Sequence, residues 1–306
     1  MPYIGRFAPS PTGLLHFGSL IAAVGSYLQA RSQNGRWLLR MEDIDPPRAQ
    51  PGAADAIIAT LRAYGFEWDG PIRYQSTRGA AYDAALDRLR ADGWLFPCSC
   101  SRREITEAGG VYPGTCRNGP PDMVEAARPM ALRVRSDGPR IHFHDALQGD
   151  FDVDVAATVG DFVLKRADGL FAYQLAVVVD DAEQGVTEVV RGSDLLDSTA
   201  RQIHLQRLLG YRTPDYVHLP VVIDQDGYKL SKQTYAAPLR DDDPIPALCA
   251  AMAFLGQAVP EEMAFAALGD FWAWAIRNWR LVDVPRRLSA PGIAFNGLRD
   301  AVPPLS

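Results

Sequence analysis

The sequence predicts an α/β fold: a Rossmann-like parallel sheet with a cysteine-bearing insertion and a helical C-terminal segment. Three observations predict it. Short apolar strands alternate with amphipathic helices in two blocks, the pattern of βαβ units. Between the blocks lies a stretch of short pieces punctuated by Pro and Gly. Acids, arginines and one histidine fall where strands end and helices begin, which is where open parallel sheets bind ligands.

YIGRFAPSP reads as a short strand entering a proline turn, and LLHFGSLIAAVGSYLQARS as a helix with Leu20, Val24 and Leu28 on one face. RWLLRMEDIDPP is a second strand whose end delivers Glu42, Asp43 and Asp45. AADAIIATLRAYGF and RGAAYDAALDRLRADGW are amphipathic helices, each stopped by a glycine. These elements make residues 1–95 the first half of the sheet domain. Residues 96–151 form the insertion. FAYQLAVVVDD then reads as an almost unbroken apolar strand, of the kind found inside a parallel sheet, closed by Asp180 and Asp181. TEVVRGSD is a strand, SDLLDSTARQIHLQRLLGY a helix capped by Ser193 or Asp194, and HLPVVIDQDGYKLSKQ a strand, a turn and a lysine loop. Residues 152–240 are accordingly the second half of the sheet domain, and 241–306 a helical segment containing Trp272, Trp274 and Trp279.

With 306 residues, 47% hydrophobic and 22% charged, the chain has the composition of a soluble globular protein. No apolar run approaches the roughly 20 residues that cross a bilayer, and no basic-then-apolar leader is present, so a cytoplasmic protein without a membrane partner is expected. A net charge of −6 argues against an indiscriminate nucleic-acid coat and leaves room for local basic patches. Candidates for such patches are Arg102, Arg103, Arg117, Arg201, Arg207, Arg277, Arg280, Arg286 and Arg287. Only three of the 31 basic residues are lysines, and two of those, Lys229 and Lys232, sit in GYKLSKQ. That loop uses the compact, mobile ammonium in a chain that otherwise uses arginine.

The chemistry gathers at strand ends. His16 at a helix start brings an imidazole and free backbone N–H groups toward an anion, and Gly18 lets a flat base or a phosphate lie against the backbone. Lys229, Ser231 and Lys232 supply cations and a hydroxyl for charge on a departing pyrophosphate. Cys98, Cys100 and Cys116 cluster in the form C-x-C-x11-Y-x3-C. Cysteines two apart on a strand point the same way, so the first two can share a metal, whereas a disulfide between them is strained. Zinc takes four ligands and three thiols are present; Tyr112 or one of His142 and His144 completes the set, although the histidines read as part of a strand, IHFHDAL. Cys249, in ALCAAMAFL, reads as a core thiol.

PSPTGLLHFGS and KLSKQ resemble the two signature motifs of the class I aminoacyl-tRNA synthetases, and RFAPSPTG, RMEDID, YQLAVVVDD and VVRGSDLLDSTARQ are similar to the glutamyl branch of that family. The likeness covers about residues 3–240. It departs from the HIGH signature at Ser19 and from KMSKS at Leu230 and Gln233. The resemblance implies the class I fold, with His16, Lys229, Ser231 and Lys232 as catalytic residues. It implies an ATP site, served by magnesium, at Pro9, His16, Gly18, Ser19 and Lys232, and an L-glutamate site at Arg6, Phe7, Ala8, Pro9, Ser10, Glu42, Tyr173 and Arg191. It also implies a structural zinc held by Cys98, Cys100, Tyr112 and Cys116. A glutamate carries two carboxylates and one ammonium, which suits a pocket holding both guanidinium and acid.

The sequence stops about 70 residues after the lysine loop, short of the roughly 150 that a helical anticodon-binding domain takes. It therefore resembles the short paralogue branch of the glutamyl family, whose members activate glutamate without tRNA and transfer it to the queuosine base of tRNA(Asp). A monomer is expected. The alternatives are a truncated or discriminating synthetase charging a tRNA 3′ end, and a noncatalytic RNA-binding paralogue.

Overall fold

The computed structural model describes residues 2–119, 129–224 and 237–292. Its first block is a parallel sheet of β1 (Ile4–Phe7), β2 (Arg36–Met41) and β3 (Arg73–Tyr74), crossed by α1 (Phe17–Arg31) and α2 (Ala53–Ala63). Helix α3 (Gly79–Ala91) leads to β4 (Leu95–Cys98), α4 (Arg102–Glu107) and β5 (Ala131–Val134). A hairpin of β6 (Ile141–Asp145) and β7 (Gly149–Val153), the single turn α5 (Val155–Thr158) and β8 (Phe162–Lys165) follow. The second block contains α6 (Tyr173–Glu183), β9 (Glu188–Gly192), α7 (Leu196–Leu208) and β10 (Asp215–Leu219). Then come β11 (Val221–Ile223), α8 (Pro244–Phe254), α9 (Leu268–Asn278) and β12 (Ser289–Pro291), the last pairing with β11.

The second sheet runs β7-β6-β10-β9, and its β9 edge meets the first sheet where the Thr187 N–H donates to the Ile4 carbonyl at 2.9 Å. Helix α1 packs over that junction, and Gly25 lets it approach Leu219, because a Cβ there would collide with the leucine. Trp37 fills the core beneath: it is fully buried, stacks on Phe66 at 5.6 Å between ring centroids, and donates its indole N–H to Ser26. The C-terminal tryptophans lie on the same core. Trp272 donates to the Tyr64 carbonyl at 2.9 Å and Trp279 to Gln29 Oε1 at 2.9 Å, so α9 and the turn after it are tied to α1 and α2. Cys249 is wholly buried there.

Three readings of the sequence are corrected. FAYQLAVVVDD is not a strand: residues Tyr173–Glu183 form α6. Leu175 through Asp181 are all buried, so the helix has no polar face and its apolar run lacks the period that separates helix from strand. Second, Ser193 and Asp194 do not cap α7; they lie in a 3-10 turn that runs directly into it, with no side-chain cap. Third, strand pairing cuts across residues 96–151. β8 completes the antiparallel sheet β4-β5-β8, while β6 and β7 belong with β10. Among the described residues no helix is long and apolar enough to cross a membrane.

Candidate active site

The carboxyl ends of β1, β2 and β9 and the start of α1 surround a cleft of about 700 Å³. His16 is the N-cap residue of α1, with an extended backbone, and its carbonyl accepts from Leu20 at 3.0 Å. Gly18 and Ser19, in the first turn, line the cleft with it. Arg6, Phe7, Ala8 and Ser10 arrive from β1 and the proline turn, Glu42 from the end of β2, Tyr173 from the first turn of α6, and Arg191 from β9. Pro9 does not line the cleft; its carbonyl accepts the Glu42 N–H at 3.0 Å and so fixes that acid's backbone.

Lys229, Ser231 and Lys232 lie outside the described residues. The described chain on either side of them is at the cleft: Val221 and Val222 line it, and beyond the loop Pro238 bridges His16, with the Leu239 N–H on the Leu15 carbonyl at 3.0 Å.

The acid wall of the cleft is a network of buried charges. Asp181 Oδ1 accepts from Arg6 Nε at 3.2 Å and from Arg40 Nη2 at 2.7 Å. Arg40, wholly buried, also donates to Gln184 at 2.7 Å and stands 3.6 Å from Glu42 Oε1. That Glu42 oxygen is buried with no hydrogen-bond partner among the described residues. Burial pushes the Glu42 carboxyl up to about 7 against the opposing pull of Arg40 and Arg6. The same desolvation acts on Asp181, but its two arginines outweigh it and hold the carboxyl below the usual range. A buried carboxylate oxygen that accepts no hydrogen bond attracts a further cation, as a substrate ammonium would be. Burial, then Glu42, raises the Tyr173 phenol, so it stays protonated and able to donate.

The Arg191 wall is built differently. Arg191 donates from Nε to His218 Nε2 at 3.0 Å, from Nη1 to Gln202 at 2.8 Å, and from Nη2 to Thr199 at 2.9 Å and the Leu195 carbonyl at 3.3 Å. No carboxylate touches it among these contacts.

Arg40, Gln202, His218 and Asp145 are not among the site residues that the sequence marks, and Asp181 enters it only as the close of an apolar run. One signal was available: an arginine inside the apolar strand RWLLRM has to find a buried acid. Asp180, which the sequence places among the ligand-binding strand ends, instead accepts from Tyr82 at 2.7 Å, Gln75 at 3.0 Å and Arg78 at 3.1 Å, tying α6 to α3.

Of the candidate RNA-binding arginines, Arg102 lines the cleft. Arg117 makes two bonds to buried Asp161, at 2.5 and 2.6 Å, and serves the fold there. Arg103 pairs with Glu107 and Arg280 with Asp283, while Arg201 is half-buried against Ser198. Arg207, Arg277, Arg286 and Arg287 are exposed.

The cysteine cluster lies outside the cleft, at the end of β4. Cys98, Cys100 and Cys116 bring their sulfurs within 4.8 Å of one another, with Cys100 and Cys116 at 3.6 Å. Thiolates about 2.3 Å from a shared zinc stand roughly 3.8 Å apart, so the donors fit. Tyr112 Oη is 3.4 Å from Cys98 Sγ and accepts the Cys116 N–H at 2.8 Å, which sets the phenol beside the sulfurs. Its backbone bridges Gly160, where φ is +71° and a Cβ would press on the Tyr112 carbonyl. Burial pushes the Cys116 thiol up, but bonds from Ser99, Tyr112 and the other cysteines bring it down to about 7. His142 and His144 are on the exposed face of β6, where His144 pairs with Asp150 at 2.7 Å.

Residues 4–271 match the family described as tRNA synthetases class I (E and Q), catalytic domain. The chain is 58% identical to a glutamyl-Q tRNA(Asp) synthetase of Aromatoleum aromaticum, over 94% of this chain and 92% of that protein. It is 58% identical to the one of Dechloromonas aromatica, over 94% and 97%. Among solved structures it is similar to a glutamate tRNA ligase of Elizabethkingia meningosepticum in complex with its amino acid. The TM-score is 0.80 at 25% identity, covering 97% of this chain and 68% of that one.

Proposed function

The chain belongs to the class I tRNA synthetases of the glutamyl and glutaminyl type, and within them to the glutamyl-Q tRNA(Asp) synthetases, a family of ligases; from that premise we propose a two-step glutamyl transfer. It activates L-glutamate with ATP, without needing tRNA, and passes the glutamyl group to the queuosine base in the anticodon of tRNA(Asp). The observation that carries the proposal is the convergence of Arg6, Glu42, Tyr173 and Arg191 on one cleft beside the His16 helix start.

In the first step a carboxylate oxygen of glutamate bonds to the α-phosphorus of ATP while the α–β bridging oxygen leaves with pyrophosphate. Binding in one cleft aligns the two reactants. Arg6 and Arg191 receive the substrate carboxylates, Glu42 the ammonium, and Tyr173 donates a hydrogen bond. The α1 amides, His16, Lys229, Ser231 and Lys232 hold the phosphate oxygens, with the nucleotide lying over Gly18 and Ser19. Magnesium, bound with ATP, supplies positive charge across the phosphates. In the second step a hydroxyl of the cyclopentenediol ring attacks the acyl carbon, loses its proton and displaces AMP. Zinc, held by Cys98, Cys100, Cys116 and Tyr112, would cross-link β4 to the following turn as a structural ion.

Labelled glutamate, ATP and tRNA(Asp) with and without queuosine test the reading. Label on the queuosine base, together with glutamate-dependent exchange of pyrophosphate into ATP in the absence of RNA, is expected. Label on a 3′ end would identify a truncated charging enzyme, and neither exchange nor transfer would identify a noncatalytic RNA-binding protein.

A further inference from the structure

Arg191, His218 and Asp145 stand in a row across three neighbouring parallel strands. Arg191 and His218 are register partners on β9 and β10, and Asp145 ends β6 on the other side of β10. His218 and Asp145 are wholly buried and Arg191 is nearly so. Asp145 Oδ1 accepts the backbone N–H groups of Leu147 at 3.1 Å, Gln148 at 2.9 Å and His218 at 3.3 Å, and Oδ2 lies 2.6 Å from His218 Nδ1. An oxygen set that only accepts is an ionised carboxylate, so the imidazole carries its proton on Nδ1. Nε2 is then a lone pair, and it takes the Arg191 Nε–H at 3.0 Å, with Thr199 Oγ1 at 3.2 Å.

We propose that Asp145 and His218 are positioning residues that set the guanidinium of Arg191 for a substrate carboxylate, Asp145 acting through the imidazole. The inference rests on the reading of Arg191 as a carboxylate-binding residue. A guanidinium has five N–H donors. Four of them go to His218, Gln202, Thr199 and the Leu195 carbonyl, all uncharged, and one on Nη1 is left over among the described residues. A direct carboxylate partner would fix the side chain equally well but would cancel the charge that an incoming anion needs. A neutral imidazole interposed between acid and base fixes the plane of the fork and leaves its charge uncancelled by contact. The simpler alternative is a satisfied core histidine that only supports the sheet.

Nitrogen-15 NMR of the histidine rings in the wild-type protein at pH 7.5, and pyrophosphate exchange by two variants, separate these. The His218 ring is expected as the Nδ1–H tautomer, bonded through Nε2 to the Arg191 Nε–H. His218→Gln can place its amide oxygen where Nε2 accepts, whereas His218→Asn keeps a donor for Asp145 and loses the acceptor. The Asn variant is expected to raise the KM for glutamate about tenfold at an unchanged KM for ATP, and the Gln variant to stay within about threefold of wild type. An Nε2–H tautomer in a normally active enzyme overturns the relay. Equal rises in both KM values, or a Gln variant no better than Asn, make His218 a structural residue only and overturn the positioning role. Absence of glutamate-dependent exchange in the wild type, with the Nδ1–H tautomer present, overturns the substrate reading and the KM claim with it while leaving the hydrogen-bonded row intact.

Discussion

Two arginines, Arg6 on β1 and Arg191 on the adjoining β9, line the cleft and are held by opposite means. Arg6 sits directly on Asp181, which it shares with buried Arg40, so its charge belongs to a network of fixed ions. Arg191 is held by an imidazole, an amide, a hydroxyl and a carbonyl. The difference teaches where the rigidity of the site comes from and where its free positive potential lies. The Arg6 wall is a structural ion cluster; on the proposed reading the Arg191 wall is a preorganised receptor for a substrate carboxylate.

The comparison breaks most severely at Asp181. Asp181→Asn takes from buried Arg40 its hydrogen-bonded carboxylate and leaves only Glu42 at 3.6 Å, so unfolding in denaturant should show a loss of about 3–5 kcal/mol. A loss under about 1 kcal/mol would mean that the Arg6 wall is not an ion cluster in energetic substance.

Glu42, on the same wall, should make stability depend on pH. Its folded value of about 7 lies above the ordinary 4.5. Between these values the folded chain keeps a proton that the unfolded chain has released, so stability falls as pH rises through that window, by at most about 3 kcal/mol. Glu42→Gln should flatten that slope. On the proposed reading, in which ionised Glu42 receives the substrate ammonium, the KM for glutamate should fall between pH 6 and 8 in the wild type only. An unfolding series and a KM series across pH check both.

On the other wall, Arg191→Ala should lower kcat/KM for glutamate about a hundredfold in pyrophosphate exchange, with KM for ATP near wild type. If its melting temperature dropped as far as that of Asp181→Asn, the contrast between the two walls would be lost. The cysteine cluster lies outside both, so Cys98→Ser should strip bound zinc and lower stability while leaving the KM for glutamate within about twofold. Metal analysis of wild type and variant, alongside exchange kinetics, is the check, and a wild type free of zinc would remove the metal from the account.

What was legible in the chain is what short-range chemistry writes. His16 before LIAAVGSYLQAR marks a helix start at any depth in the fold, and the strands RWLLRM and EVVRG end on the residues that line the cleft. The C-x-C…C spacing brings sulfurs together because a strand end, the short helix α4 and the turn after it fold back locally on Cys98 and Cys100. Residues 173–183 were misread because burial on every side erases the alternation of polar and apolar residues that distinguishes a helix. Asp145 and His218 left no signal either, being 73 positions apart and polar only where the second sheet closes around them.

The local order of residues alone determined the alternating α/β pattern, the helix start at His16 and the grouping of thiols, because each depends on neighbours a few positions away. Only the tertiary structure decided which charges are paired. Arg6 meets Asp181 across 175 positions and Arg191 meets His218 across 27; exclusion of water raises Glu42, while the arginines brought onto Asp181 outweigh the same desolvation and lower it.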